Sequence, residues 1–214
     1  MADSPRTVNV ASMRDHWWWR PGWRPGRRQY TWHVTFADVP VVQELAASAR
    51  ARLAGLDGID LVPGRWLHLT TQGVGFSDEI PDADLAAITG AASARLAAIE
   101  PIPVTIGPAR VASEGILCWV GPDHALMPMR DAIRAAIADV WGPQRVPDGP
   151  DWSPHVSIAY SSADGPADPF EAALDGEDTI AAMTVDAVTL IRLGRDQHVY
   201  EWETLTSVPL GTSS

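Results

Sequence analysis

The chain contains no lysine: all 16 of its basic residues are arginine. No function is read from that absence. Cysteine is scarce as well. The single copy, Cys118, has no partner for an internal disulfide and cannot build a zinc site alone. The apolar run around it, ILCWV, reads as a packed strand. No apolar run approaches the roughly 18–20 residues of a membrane span, so no membrane partner is expected. The opening residues, MADSPRTVNV, hold no apolar signal core, and the expected compartment is the cytoplasm. Disorder of the whole chain is excluded by composition. Of 214 residues, 46 % are hydrophobic and 20 % charged, an ordinary globular balance that fills one core.

Positive charge is scarce over most of the chain and concentrated at its start. Residues 1–32 hold six Arg against two Asp, a net of +4, and the remaining 182 hold ten Arg against 25 acidic groups, a net of −15. A body this acidic repels a long phosphate backbone. An extended nucleic-acid duplex is therefore excluded as a partner. A small nucleotide or a short RNA end, held by a local basic site, is not.

The basic start has its own character. Residues 16–28, HWWWRPGWRPGRR, hold four Trp, four Arg, two Pro and two Gly. Pro and Gly argue against a regular element, so residues 1–28 read as an arm. Arg beside Trp is what pairing with a phosphate and stacking on a base require, which makes Trp23, Arg24 and Arg27 candidate ligand contacts. The competing reading is that the Trp side chains cover a core. Regular periodicity then begins. YTWHVTF (30–36) alternates as a half-buried strand, with Tyr30, Trp32, Val34 and Phe36 on one face. Helical spacing covers 40–54, 82–99 and 125–141, with a short helix at 168–174. Strands are expected at 65–71, 102–107, 109–120 and 153–160. A closing hairpin is expected over 183–191 and 198–205, with its turn at 194–196. Residues 208–214 read as a loose tail. Residues 29–207 thus form one α+β domain of two pseudo-duplicated lobes.

Three tripeptides carry the chemistry: His33-Val34-Thr35, His68-Leu69-Thr70 and His155-Val156-Ser157. Residues i and i+2 of a strand share a face, so each tripeptide sets an imidazole beside a hydroxyl. Two such strands facing one another bring two imidazoles and two hydroxyls to one cleft. That set suits phosphoryl transfer. One His takes a proton from the attacking oxygen, the other gives one to the leaving oxygen, and the hydroxyls hold the phosphate.

The contexts WLHLT and SPHVSIAY, with the GILCWVG strand and the order of elements over residues 29–207, resemble the 2H phosphoesterase superfamily. Within it they resemble the 2′-5′ RNA ligase and RNA 2′,3′-cyclic phosphodiesterase family. The resemblance implies two antiparallel sheets with helices outside and a central cleft. It implies His68 and His155 as the catalytic pair, Thr70 and Ser157 on the phosphate, and neither metal nor other cofactor. The implied activity is hydrolysis of a 2′,3′-cyclic phosphate on a nucleotide or short RNA end. Two departures stand out. The first motif continues as Thr71-Gln72-Gly73-Val74-Gly75 where the family has Leu-x-Phe-Leu-Gly. Tyr160 takes the place of an Arg that holds phosphate. Both touch RNA-end ligation and leave the His/hydroxyl chemistry intact. Tyr160, His33 and Thr35 are further candidates for contact with substrate. His124 and His198 read as solvated or structural, and His16 is left open. Two other functions compete with this one: a ligand- or RNA-binding module that kept the cleft with little turnover, and a metallohydrolase. The second lacks H-E-x-x-H or comparable carboxylate spacing.

Overall fold

A computed structural model describes residues 10–149 and 151–211. In chain order the strands are β1 (Ser12–Met13), β2 (Gln29–Thr35), β3 (Ile59–Leu61), β4 (His68–Phe76), β5 (Ile102–Ala112), β6 (Gly115–Gly121), β7 (His155–Ser161), β8 (Gly165–Pro166), β9 (Ala181–Val185), β10 (Ala187–Gly194) and β11 (Glu201–Pro209). The helices are α1 (Pro40–Leu53), α2 (Asp82–Leu96), α3 (Asp123–Trp141) and α4 (Asp168–Ala173). All strand pairs are antiparallel. One sheet has the order β11-β10-β2-β4 and the other β3-β7-β6-β5-β9; β1 and β8 form a separate two-stranded ribbon. No described helix is long and apolar enough to cross a membrane.

The helices follow their apolar spacing. Helix α1 buries Val42, Leu45, Ala46, Ala49 and Leu53, the positions the periodicity selects. Pro40 stands in its first turn, where a missing N–H costs nothing. Gly55, at φ 83°, then turns the chain back. Helix α3 buries Leu126, Met129, Ile133 and Ile137, and also Arg130. Helices α2 and α3 pack on each other; α3 also lies against β4, β5 and β6, while α1 lies against β5, β7 and β9.

The lobes are not the two halves of the sequence. Strand β3 and helix α1, from the first half, belong with the second sheet, and the last two strands complete the first. This corrects the expected hairpin. The stretch 183–191 is two strands in different sheets, and the chain crosses between lobes at Asp186. The hairpin is β10–β11, closed by residues 195–200. The tail is corrected too. Leu210 is buried and its N–H is bonded to the Asp186 carbonyl; residues 212–214 lie outside the described residues, as do residues 1–9 of the arm. The strand expected at 65–71 begins at His68, after a 3₁₀ turn at 64–66, and runs on through Gly73 and Gly75 to Phe76.

The described part of the arm packs against the body. Met13 is buried, and β1 pairs with β8. Trp17 is buried and its indole N–H donates to Asp60, while Trp18 and Trp19 are exposed. Arg195, itself buried, donates to the carbonyls of His16 and Trp18 and lies against the rings of Trp17, Trp23 and Tyr200.

Candidate functional site

Register decides which residues meet between the sheets. In β4, His68 pairs with Thr35 and Thr70 with His33. Val34 and Leu69, between them, point into the core and are buried. Beyond Thr70 the register slips by one residue, so Gln72 faces the side of Trp32 and Gly73 faces that of Thr31. A bulge of this kind reverses the alternation. The same device acts in β7. Ser157 pairs with Leu117 but Ala159 with Ile116, which leaves Ile158 as the extra residue. Tyr160 therefore turns to the same side as His155 and Ser157, which strict alternation forbids.

A cavity of about 430 Å³ results. Its walls include His33, His68 and Thr70 from one sheet, and Leu117, His155, Ser157 and Tyr160 from the other. The two catalytic candidates are held alike. His68 Nδ1 lies 2.8 Å from the Trp66 carbonyl, and His155 Nδ1 lies 2.8 Å from the Ser153 carbonyl. A carbonyl only accepts, so each Nδ1 carries the hydrogen and each Nε2 is left to exchange a proton with a bound ligand. Burial pulls the His68 pKa down to about 4, against the opposing pull of the Trp66 carbonyl, with the neighbouring His155 lowering it further. Burial lowers His155 as well, against the Ser153 carbonyl. Both rings are neutral in the empty cavity near pH 7.

His33 is fully buried and stacks on His68, with ring centres 4.3 Å apart and planes 6° from parallel. Its Nε2 is 3.2 Å from Thr70 Oγ1, and its Nδ1 is buried without a partner. An unpaired buried N–H costs the desolvation of a donor. The hydrogen therefore belongs on Nε2, which donates to Thr70 and leaves the threonine O–H to the cavity. Burial, and then the charge of His68, hold His33 well below its ordinary pKa.

The arm enters the cavity with residues other than most of those expected. Trp23 lines it, as do His16 and Arg20. Arg24 and Arg27 do not. Both bond to Asp78, at 2.9 and 2.8 Å; Arg27 also pairs with Glu79 and lies over the Phe76 ring. Their charges are spent on the two acids that follow β4. Thr35 is corrected as well. The stacked His33 and His68 close the cavity before it, and Thr35 lies in a separate depression with Asp38, Thr189 and Ser207. His198, at φ 53°, stacks on Trp17 beside Asp60. His124 lies in the first turn of α3.

Residues that sequence reasoning passed over also line the cavity: Glu114, from the β5–β6 turn, Tyr200, from the β10–β11 connection, and Asp148, from the loop before β7. Asp148 accepts the Gly73 N–H at 2.9 Å. A Cβ on Gly73 would stand 2.9 Å from that carboxylate, so a glycine here makes room for this loop. The loop is clamped by α3: Arg130 donates to the Thr71 and Gly149 carbonyls, and Arg134 to Gln72 and the Asp148 carbonyl. No group of three or more His, Cys, Asp or Glu arranged to hold a metal occurs among the described residues.

The sequence profile of the 2′-5′ RNA ligase superfamily matches residues 38–197. The chain belongs to that superfamily. Solved structures carry the same fold. The protein TT0787 of Thermus thermophilus superposes with a TM-score of 0.65 at 19 % identity, covering 86 % of this chain and all of that one. LigT of E. coli gives 0.62 at 14 % identity, covering 87 % and 99 %. A protein described as a phosphoesterase gives 0.62 at 15 %, with the same coverage. LigT has also been crystallised with 3′-AMP and with phosphate. No curated protein matches the sequence. His16, Arg20, Trp23 and Tyr200 all fall outside the stretch that the superfamily profile matches.

Proposed function

We propose that the protein is a phosphodiesterase that opens 2′,3′-cyclic phosphates on a small nucleotide or short RNA end, with His68 and His155 as its acid–base pair. The observation that carries this reading is the shared anchoring of the two imidazoles. Each gives its Nδ1–H to a backbone carbonyl two residues upstream, and each leaves Nε2 on a cavity that also holds Thr70 and Ser157. Water supplies the attacking oxygen. Its proton passes to one Nε2 as the new P–O bond forms. The other imidazole, protonated at the outset, gives its proton to the ribose oxygen as the old P–O bond breaks. The product is a phosphomonoester, and the two rings end with their roles exchanged.

The starting state needs one imidazolium, while burial keeps both rings neutral. An anionic phosphate between them supplies the missing term, because an opposite charge at close range raises an imidazole pKa. The Thr70 O–H, turned to the cavity by His33, and the Ser157 O–H take the non-bridging oxygens. The complexes of LigT with 3′-AMP and phosphate support a ligand of this kind. The test is hydrolysis of nucleoside 2′,3′-cyclic monophosphates with chelator in excess. Turnover under those conditions is expected. Activity only with added metal would sink the reading, as would binding without turnover, which describes a binding module.

A further inference from the structure

We infer that the arm builds a second anion subsite at Arg20, and that the substrate is a nucleotide bearing a second phosphate besides the cyclic one. The inference rests on the cyclic phosphodiesterase reading. Arg20 is the one arginine among the described residues that line the cavity. It is held in place: Nη2 is 2.6 Å from Glu114 Oε2 and 3.4 Å from His16 Nδ1. An arginine carries five N–H donors, so these contacts leave others for a ligand. About a third of its side chain is exposed.

The surroundings keep the charge in place. His16 Nδ1 is 3.1 Å from Glu114, and its Nε2 is 2.9 Å from the Tyr200 hydroxyl. Burial, and then the charge of Arg20, bring His16 down to about 4, so it adds no charge. Burial pushes the Glu114 carboxyl up, but the bond and charge of Arg20 outweigh it and keep the acid ionised. Arg195 forms no ion pair among the described residues. Two guanidiniums, Arg20 and Arg195, thus face two carboxylates, Glu114 and Asp15. Of the two cations only Arg20 lines the cavity, and its remaining N–H donors are what an anion there would meet.

Position gives the ligand class. The Tyr200 ring lies 6.1 Å from that of His68, and its hydroxyl is 2.9 Å from Nε2 of His16, whose Nδ1 is 3.4 Å from Arg20. Arg20 and the histidines thus line one cavity of about 430 Å³. One nucleotide can span it, with the cyclic phosphate at the histidines and a 5′-phosphate at Arg20.

Two comparisons test this. The first measures kcat/KM for adenosine 2′,3′-cyclic phosphate with and without a 5′-phosphate. Wild type is expected to prefer the 5′-phosphorylated form about ten- to a hundredfold, the worth of hydrogen bonds to a charged group. In Arg20→Gln the preference should fall to near unity. The second is calorimetry of adenosine 3′,5′-bisphosphate against adenosine 3′-monophosphate on the wild-type protein, which needs no variant to fold. Tighter binding of the bisphosphate is expected. Turnover of the unphosphorylated substrate with no preference in either comparison would overturn the subsite and leave the phosphodiesterase standing. No turnover of either substrate, with the bisphosphate still bound more tightly, would overturn the phosphodiesterase and leave the subsite.

Discussion

In the proposed mechanism each imidazole of the pair has one task, and its loss has a definite size. A positioned general acid or base contributes about 10²–10⁴-fold in rate. His68→Ala and His155→Ala are each expected to lower kcat by that factor while circular dichroism stays unchanged. The hydroxyls do less. On the same proposal Thr70→Val and Ser157→Ala each remove a bond to the phosphate, so losses of roughly ten- to a hundredfold in kcat/KM are expected. His33 separates two roles that deletion to alanine would confuse. His33→Phe keeps a flat ring on His68 but removes the donor to Thr70. If that donor orients the hydroxyl, the variant loses part of the Thr70 contribution, and adding Thr70→Val to it costs little more. Additive losses in this double-mutant cycle would mean that His33 only packs.

At the scale of elements, the clamp between α3 and the loop before β7 sets the distance between the two histidine strands. Arg130 reaches the Thr71 carbonyl on one side and the Gly149 carbonyl on the other. Arg130→Met should leave two carbonyls without their donor. A lower Tm is expected, from a loss of about 1–3 kcal/mol, and kcat should fall because the loop leads directly into His155. A lower Tm with unchanged kcat would show that the spacing is set elsewhere. How far these elements were legible depends on the range of the forces that make them. Helices α1 and α3 and the motif strands were readable, since apolar spacing is local. So was the facing of His68 with Thr70, which only strand parity decides. The slips at Thr71 and Ile158 were not, because a bulge is fixed by the partner strand. The ordering of the arm was equally hidden. It depends on Arg195 and Asp60, far along the chain, and the four arginines of residues 16–28 look alike until their acidic partners are placed. Asp78 and Glu79 take Arg24 and Arg27, whereas Glu114 keeps Arg20 at the cavity.

For the whole molecule, buried neutral histidines make stability depend on pH. His16 and His68 titrate near 4 when folded, against about 6.5 unfolded. Their folded pKa values are depressed, so below 6.5 the unfolded chain takes up protons that the folded one refuses. Stability is therefore full above about pH 6.5 and falls as the pH drops toward 4. Each unit of difference is worth about 1.4 kcal/mol per group, and His33 adds to it in the same direction. Thermal melts from pH 7.5 to 4.5 are expected to show a falling Tm. Inorganic phosphate should lessen the fall, since an anion between the rings favours the imidazolium. A Tm flat across that range would contradict the burial assigned to these rings. The strand order has one more consequence, for the timing of synthesis. Strand β2 is hydrogen-bonded on one edge to β4, its near neighbour in sequence, and on the other to β10, which begins more than 150 residues later. During translation one side of β2 waits with an open edge until the ribosome has made nearly the whole chain. An open edge is a template for pairing with another chain. A nascent protein truncated before residue 187 should therefore aggregate rather than fold by halves, and the cavity between the histidine strands is among the last features to form.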